Sequence, residues 1–284
     1  MKKLLTTSLL ALTLCFGLTA CSSTNESGQS TDNIQSSTES ANTEEGATIT
    51  VGATSVPHAE ILNEVVDNLA QESITLNIKE FSEYTVLNPS LTAEEIDANF
   101  FQHMSYLNNY IEETGEKLTS VGSVHTEPMG IYSKSIKSLD ELVDGDKIAV
   151  PNDATNGARA LLLLESNGVI KLKEGVGDKA TIFDIEENTK NLEIIEMDAA
   201  ALPRALDDVK MSVINTNYAL EAGFNPMVDA IAIEGSDSPF ANILVVKEGN
   251  ETKPEIQALY KALTSEEVKT FIEEKYQGAV VPAF

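Results

Sequence analysis

Apolar and polar positions alternate along the chain in two rhythms. Short β-branched runs read as strands: "ATITVGA" (47–53), "ITLNIKEF" (74–81), "KLTSVGSVH" (117–125), "PMGIYSK" (128–134), "KIAVPND" (147–153), "NLEIIEMDA" (191–199), "VKMSVINT" (209–216) and "PFANILVVKEG" (239–249). Segments of helical period lie between them. Ile61, Val65 and Leu69 make one apolar face after Pro57, and Asn88-Pro89 opens another helix. "TNGARALLLLESNG" stops at Asn167-Gly168, and "ALPRALDD" and "KPEIQALYKALTSEEVKTFIEEKY" give a short helix and two closing ones. Strands alternating with helices predict an α/β fold on mainly parallel sheets. The rhythm restarts after "SIKSLDELVDG", which predicts two lobes, one from residues 47–135 plus 240–284 and one from 136–239. Strands near 126–136 and 232–244 would cross between them, leaving a ligand cleft at the crossing.

The first 46 residues break this pattern. Lys2 and Lys3 followed by an apolar core from Leu4 to Leu18 read as an export signal over residues 1–20, too short to remain as a membrane span. Leu18-Thr19-Ala20-Cys21 looks like a bacterial lipobox, in which Cys21 receives lipid and becomes the first mature residue. Each buried methylene contributes about 0.8 kcal/mol, so two or more acyl chains would anchor the protein durably at the extracytoplasmic face of the membrane. From Ser22 to Gly46 the chain is Ser, Thr, Asn, Gln and Glu with little to bury, which predicts a disordered tether with a reach of roughly 25–30 Å.

Composition narrows the function. The only other cysteine, Cys15, lies in the leader, so the mature body has no disulfide, thiolate nucleophile or cysteine metal site. The formal charge is −26, and losing Lys2 and Lys3 with the leader takes it to −28, which repels nucleic acid. No G-x-S-x-G, H-E-x-x-H, P-loop or G-x-G-x-x-G motif is present, and three histidines make a poor metal set, so neither catalysis nor a cofactor is expected.

Three constellations carry candidate chemistry. "IDANFFQHMSYLNNY" (96–110) places Phe100, Phe101, Tyr106, Tyr110 and His103 within eleven positions of a chain with only sixteen Phe and Tyr. If a helix runs from Gln102, Met104, Leu107 and Ile111 make a core stripe and His103, Tyr106 and Tyr110 a second one. That second stripe suits a small amphipathic ligand, or equally the space between helix and sheet. In "PNDATNGARALLLL", Asn156, Gly157 and Arg159 lie at a helix start after a strand end, where free N–H groups and a guanidinium fork could converge on a carboxylate. A surface Arg paired with a nearby acid is the plain alternative. Asn215 and Asn242 follow apolar runs and offer amide donors and acceptors, although such residues often serve as turn or cap residues.

Taken together, "VGATSVPHAEIL", "IDANFFQHMSYL", "SIKSLDEL", "IAVPNDATNGARALLLL", "LPRALDD", "VINTNYA" and "SPFANILVV" resemble the methionine-binding lipoproteins of ABC importers, the NlpA/MetQ family. The resemblance implies a two-lobed, type II-like periplasmic-binding-protein fold. It also implies a monomer that captures L-methionine, or alternatively a methionine dipeptide such as Gly-Met or another small amino acid derivative, for a membrane permease and its ATPase. By the same resemblance Tyr84, Phe101, His103 and Tyr106 line a side-chain slot, Arg159 takes the ligand carboxylate, and Asn215 and Asn242 fix the polar end, with Asn156 beside Arg159 at the helix start. Asn217 stands where threonine is common in that family.

Overall fold

The computed structural model describes residues 46–235 and 238–284. The expected leader, Cys21 and the tether up to residue 45 lie outside the described residues. The chain runs through β1 (Ala47–Ala53), β2 (Ile74–Glu80), β3 (Ala98–His103) and β4 (Leu118–Thr126). It leaves for β5 (Gly130–Tyr132), β6 (Lys147–Pro151), the ribbon of β7 (Lys171–Leu172) and β8 (Ile185–Glu187), β9 (Glu193–Met197), β10 (Met211–Ile214) and β11 (Ala232–Ile233). It returns through β12 (Ala241–Lys247) and β13 (Val281–Pro282).

These strands form two main sheets, ordered β13-β4-β12-β3-β1-β2 and β11-β5-β10-β6-β9. Both are mixed, which corrects the expectation of mainly parallel sheets. β1 pairs in parallel with β2 and β3, and β6 with β9 and β10, where helices make the crossovers. β12 runs antiparallel to β3 and β4, and β5 antiparallel to β10 and β11, because strands next to the crossings enter and leave their sheets in opposite directions. The expected boundary at 135 also moves. Gly130–Tyr132 already pair in the second sheet, so the first crossing is Glu127–Met129. The return crossing falls between Ile233 and Ala241.

Helices cover the sheets as their apolar spacing requires. The helix expected on Ile61, Val65 and Leu69 breaks at Val65 into α1 (Glu60–Glu64) and α2 (Val66–Gln71), yet all three side chains are buried against the first sheet. α3 (Leu87–Thr92) and α4 (Met104–Thr114) flank β3. α5 (Ala154–Ser166) follows β6 and packs Ala158, Leu161 and Leu164 into the second core, ending at Asn167 before Gly168 at φ 70°. α6 (Leu202–Ala205), α7 (Thr216–Glu221) and α8 (Pro226–Asp229) follow, and α9 (Pro254–Leu263) and α10 (Glu266–Tyr276) close on the first sheet.

The first sheet and the second sheet each carry their own apolar core. A further buried cluster joins them: Tyr84, Leu87 and Phe101 from the first half meet Tyr132, Ile214, Leu202 and Tyr218 from the second. Tyr84 and Tyr218 pack with ring centroids 4.9 Å apart and planes tilted by 41°, and the Tyr218 hydroxyl donates to the Ser82 carbonyl at 3.1 Å. The two halves are therefore held together by apolar contact beside the crossings.

Candidate ligand-binding site

β3 is a central strand buried on both faces, so Phe100, Phe101, Gln102 and His103 all lie inside. The helix starts at Met104, two residues later than the spacing suggested, and His103 is its N-cap. His103 Nδ1 accepts the Tyr106 backbone N–H at 3.2 Å, which leaves the ring proton on Nε2, 3.4 Å from Asn156 Oδ1. The two proposed stripes separate differently from the expectation. Met104 is exposed, and Tyr110 packs near Leu91 and Ile96 rather than beside His103. Phe101 and Tyr106 remain together, edge to face with centroids 5.6 Å apart. Behind them Asn88, Asn99 and Gln102 bond to one another at 2.6–3.0 Å and fix the strand end.

The start of α5 supplies the facing wall. Asp153 caps the helix by accepting the Asn156 N–H at 2.9 Å, and the Asn156 amide also donates to both Asp153 oxygens at 3.1 Å. Asn156 Oδ1 is thereby turned toward Asn215, whose Nδ2 donates to it at 2.9 Å. Arg159 is 3% exposed, and its fork is not empty. Nε and Nη2 donate to the two Glu234 oxygens at 2.7 and 2.5 Å, and Nη2 also donates to the Glu127 carbonyl at 2.7 Å. Phe240 lies 4.5 Å from the guanidinium carbon. The expected bidentate grip on a ligand is thus occupied on this edge by an internal acid. Glu234 also accepts the Met129 N–H at 2.9 Å, so the pair ties α5 to both crossings.

Asn215 precedes α7, and Thr216 donates its hydroxyl to the Pro128 carbonyl of the first crossing. The Tyr84 hydroxyl donates to Asn217 Oδ1. Two buried amide atoms have no partner among the described residues: Asn215 Oδ1, an acceptor, and Asn217 Nδ2, a donor. Buried polar groups are rarely left unmade, so an unpaired acceptor and donor in one place point to a ligand that supplies both.

All of this surrounds one cavity, closed down in this structure to about 20 Å³, room for about one water. Tyr84, Phe101, His103, Tyr106, Asn156, Arg159, Asn215 and Asn242 all line it, so the structure brings the eight sequence candidates together. Gln102, Glu127, Thr216 and Asn217 line it as well, and sequence reasoning missed them. The signal for Glu127 was a lone acid followed by proline, interrupting two apolar runs in "VHTEPMGI".

His58 and His125, far apart in the chain, lie side by side behind the cavity with centroids 4.9 Å apart and planes tilted by 55°. With Glu127 they place three possible metal-ligand atoms within 4.8 Å of one another. The donor set does not fit a cation. A ring that binds metal through Nε2 must carry its proton on Nδ1, and His125 Nδ1 has no partner.

Burial holds all three histidines neutral: His58 is lowered to about 4, and His103 and His125 to about 3, with Arg159 adding to the effect on His103. Unfolded, each would take up a proton near pH 6.5. Between these values the unfolded chain binds more protons, so stability falls as pH falls below 6.5, by about 1 kcal/mol per histidine over the first pH unit. Glu127 and Asp153, pushed up by burial, act with the opposite sign, adding stability as they take up protons. Scanning calorimetry from about pH 7.5 to 5.5 should show this decline. A flat profile would mean that the rings are hydrated or already charged.

Two α/β lobes around a cavity that sets aromatic rings beside fixed polar groups define a binding protein for a small amphipathic molecule. The chain belongs to the NlpA lipoprotein family, which it matches over residues 49–284. Among its relatives is the D-methionine-binding lipoprotein MetQ of Salmonella typhimurium, 45% identical over 222 residues, covering 77% of this chain and 82% of the relative. A nutrient binding protein from Burkholderia cenocepacia, solved bound to methionine, is 45% identical with a TM-score of 0.80, covering 83% of this chain and 100% of that one. An ABC transporter periplasmic substrate-binding protein from Coxiella burnetii is 41% identical with a TM-score of 0.79, over 83% and 100% of the two chains. The family is one of extracytoplasmic binding lipoproteins rather than enzymes. Among the described residues no helix is long and apolar enough to cross a membrane.

Proposed function

We propose that this protein encloses L-methionine between its lobes and delivers it to the permease of an ABC importer, whose ATPase drives uptake. One observation carries the reading: the unpaired Asn215 acceptor and Asn217 donor share a cavity with four aromatic rings. A zwitterion matches that arrangement. Its ammonium faces Asn215 Oδ1 and the Glu127 carboxylate, and its carboxylate faces Asn217 Nδ2 and Arg159, while the thioether lies among Tyr84, Phe101, His103 and Tyr106. Each sulfur–aromatic contact adds roughly 0.3–1.5 kcal/mol. Burying both charges costs several kcal/mol unless each is matched, so both lobes must supply partners and closure follows the ligand. The protein acts as a monomer, held to the membrane by lipid on Cys21 after removal of residues 1–20, with residues 21–46 as tether.

Thermal unfolding across free amino acids and dipeptides tests this. At one hundred times its dissociation constant a ligand stabilises by about 2.7 kcal/mol, which at this size raises Tm by about 5–10 °C. L-Methionine should give the largest rise among free amino acids. A larger rise with Gly-Met would make the dipeptide the ligand, and no rise with any of them would remove the reading.

A further inference from the structure

The histidine pair behind the cavity has a role that the ligand contacts leave open. Glu127 Oε1 lies 2.8 Å from His125 Nε2 and 3.2 Å from His58 Nε2. His58 Nε2 is also 3.0 Å from Asn242 Oδ1, and its Nδ1 is 2.7 Å from Thr54 Oγ1. Both rings are essentially inaccessible to water, at 1% and 0% exposure, and Phe100 packs edge-on against both.

Counting protons fixes the arrangement. An amide oxygen only accepts, so Asn242 requires a proton on His58 Nε2, and His58 Nδ1 then accepts from the Thr54 hydroxyl. His125 has one partnered nitrogen, Nε2, and one bare nitrogen, Nδ1. A proton on Nδ1 would be a buried donor with no acceptor, so its proton belongs on Nε2, pointing at Glu127. His125 Nε2–H then donates to Glu127 Oε1, while the single His58 Nε2 proton goes to Asn242 Oδ1, with that nitrogen 3.2 Å from the same carboxylate oxygen.

From this geometry we infer that His58 and His125 are positioning residues, two neutral imidazoles that clamp the Glu127 carboxylate in its ionised form and aim it at the ligand's ammonium, His125 by donating its Nε2–H to it and His58 by setting its Asn242-bound Nε2–H edge beside it. The inference rests on the reading of Glu127 as the ammonium's partner. Opposing forces meet at this carboxyl. Burial pushes it up, and His58, Arg159 and the Asn217 backbone N–H pull it down. The other charged group nearby, Glu234, is neutralised by Arg159, and Tyr84 and Tyr276, whose hydroxyls burial pushes up, are uncharged phenols. Burial already leaves this carboxyl raised, so with the His125 donor removed it should rise further and take up a proton toward the acid end of the neutral range, where it cannot accept an ammonium N–H.

The experiment uses the full-length protein and has two arms. With only three histidines in the chain, 15N-histidine NMR resolves each ring without any ligand. His58 and His125 should both appear as neutral Nε2–H tautomers that do not titrate between about pH 5.5 and 8. An Nδ1–H tautomer or an imidazolium at either position overturns the clamp. In the second arm calorimetry measures L-methionine binding at both ends of that range for wild type, His125→Phe and His125→Gln, the glutamine amide standing in for the Nε2 donor. Wild type and His125→Gln should change less than about threefold, whereas His125→Phe should bind about tenfold more weakly at the acid end than at the alkaline end. An equal loss at both ends is what a packing defect alone would give, and it also overturns the clamp. Failure of wild type to bind methionine at either pH would remove the proposed ligand, while the ring tautomers would still decide the clamp.

Discussion

Replacing Arg159 with alanine is expected to lower stability by about 3–5 kcal/mol, because the substitution strands Glu234 as an unpaired acid with 12% side-chain exposure. At this chain length that corresponds to a fall in Tm of about 6–20 °C. The same change removes the cavity's cation, so calorimetry on the folded fraction should show L-methionine binding weakened by several kcal/mol. Arg159→Lys separates charge from shape. A lysine keeps the charge but cannot hold both Glu234 oxygens and reach the cavity at once, so it should recover only part of either loss. Near wild-type affinity in the alanine variant would take Arg159 out of the pocket. It would also mean that the Glu234 pair is purely a fastening between α5 and the two crossings.

Phe100→Ala should cost a similar amount for a different reason. The ring is 0% exposed in a strand paired on both sides and fills the space against His58 and His125. Truncating a buried phenylalanine costs about 3–5 kcal/mol, part for lost transfer and part for the cavity left behind. Here the cavity would open beside two uncharged rings and a carboxylate. Phe183, 82% exposed on the second half, is the natural control and should change stability by no more than about 0.5 kcal/mol when truncated. Denaturant unfolding of the two variants side by side would test the contrast, and equal effects would contradict the burial of Phe100.

What could be read from the chain alone follows the range of the interactions. Periodicity is local, so β1, β2, β4, β5, β6, β9, β10 and β12 and the buried face of Ile61, Val65 and Leu69 were legible, whereas β3 and the short β7, β8, β11 and β13 were not. So was the convergence of Tyr84, Phe101, His103, Tyr106, Asn156, Arg159, Asn215 and Asn242, through resemblance rather than spacing. The junction at His103 was misplaced because a doubly buried strand and a helix start share one continuous aromatic run, in which period 2 and period 3.6 cannot be told apart. The direction of β12 was not legible either, since an apolar run carries no information about which way its neighbours run. The partners of Arg159 and His58 lie 75 and 184 residues away, at Glu234 and Asn242, and no short motif records such a pairing. Glu127 was overlooked for the opposite reason: in a chain with 45 acids, one more acid draws no notice until its burial is known.

The position of β12 bears on how the protein is made. Because β12 lies between β3 and β4, those two strands have no shared neighbour until Lys247 has been synthesised and exported. The strands of the second sheet, all between Gly130 and Ile233, emerge earlier and in full. During secretion the inserted half can therefore assemble while the flanking half still waits for its central strand, and any nascent chain cut short before that point carries an open seam down the middle of its larger sheet.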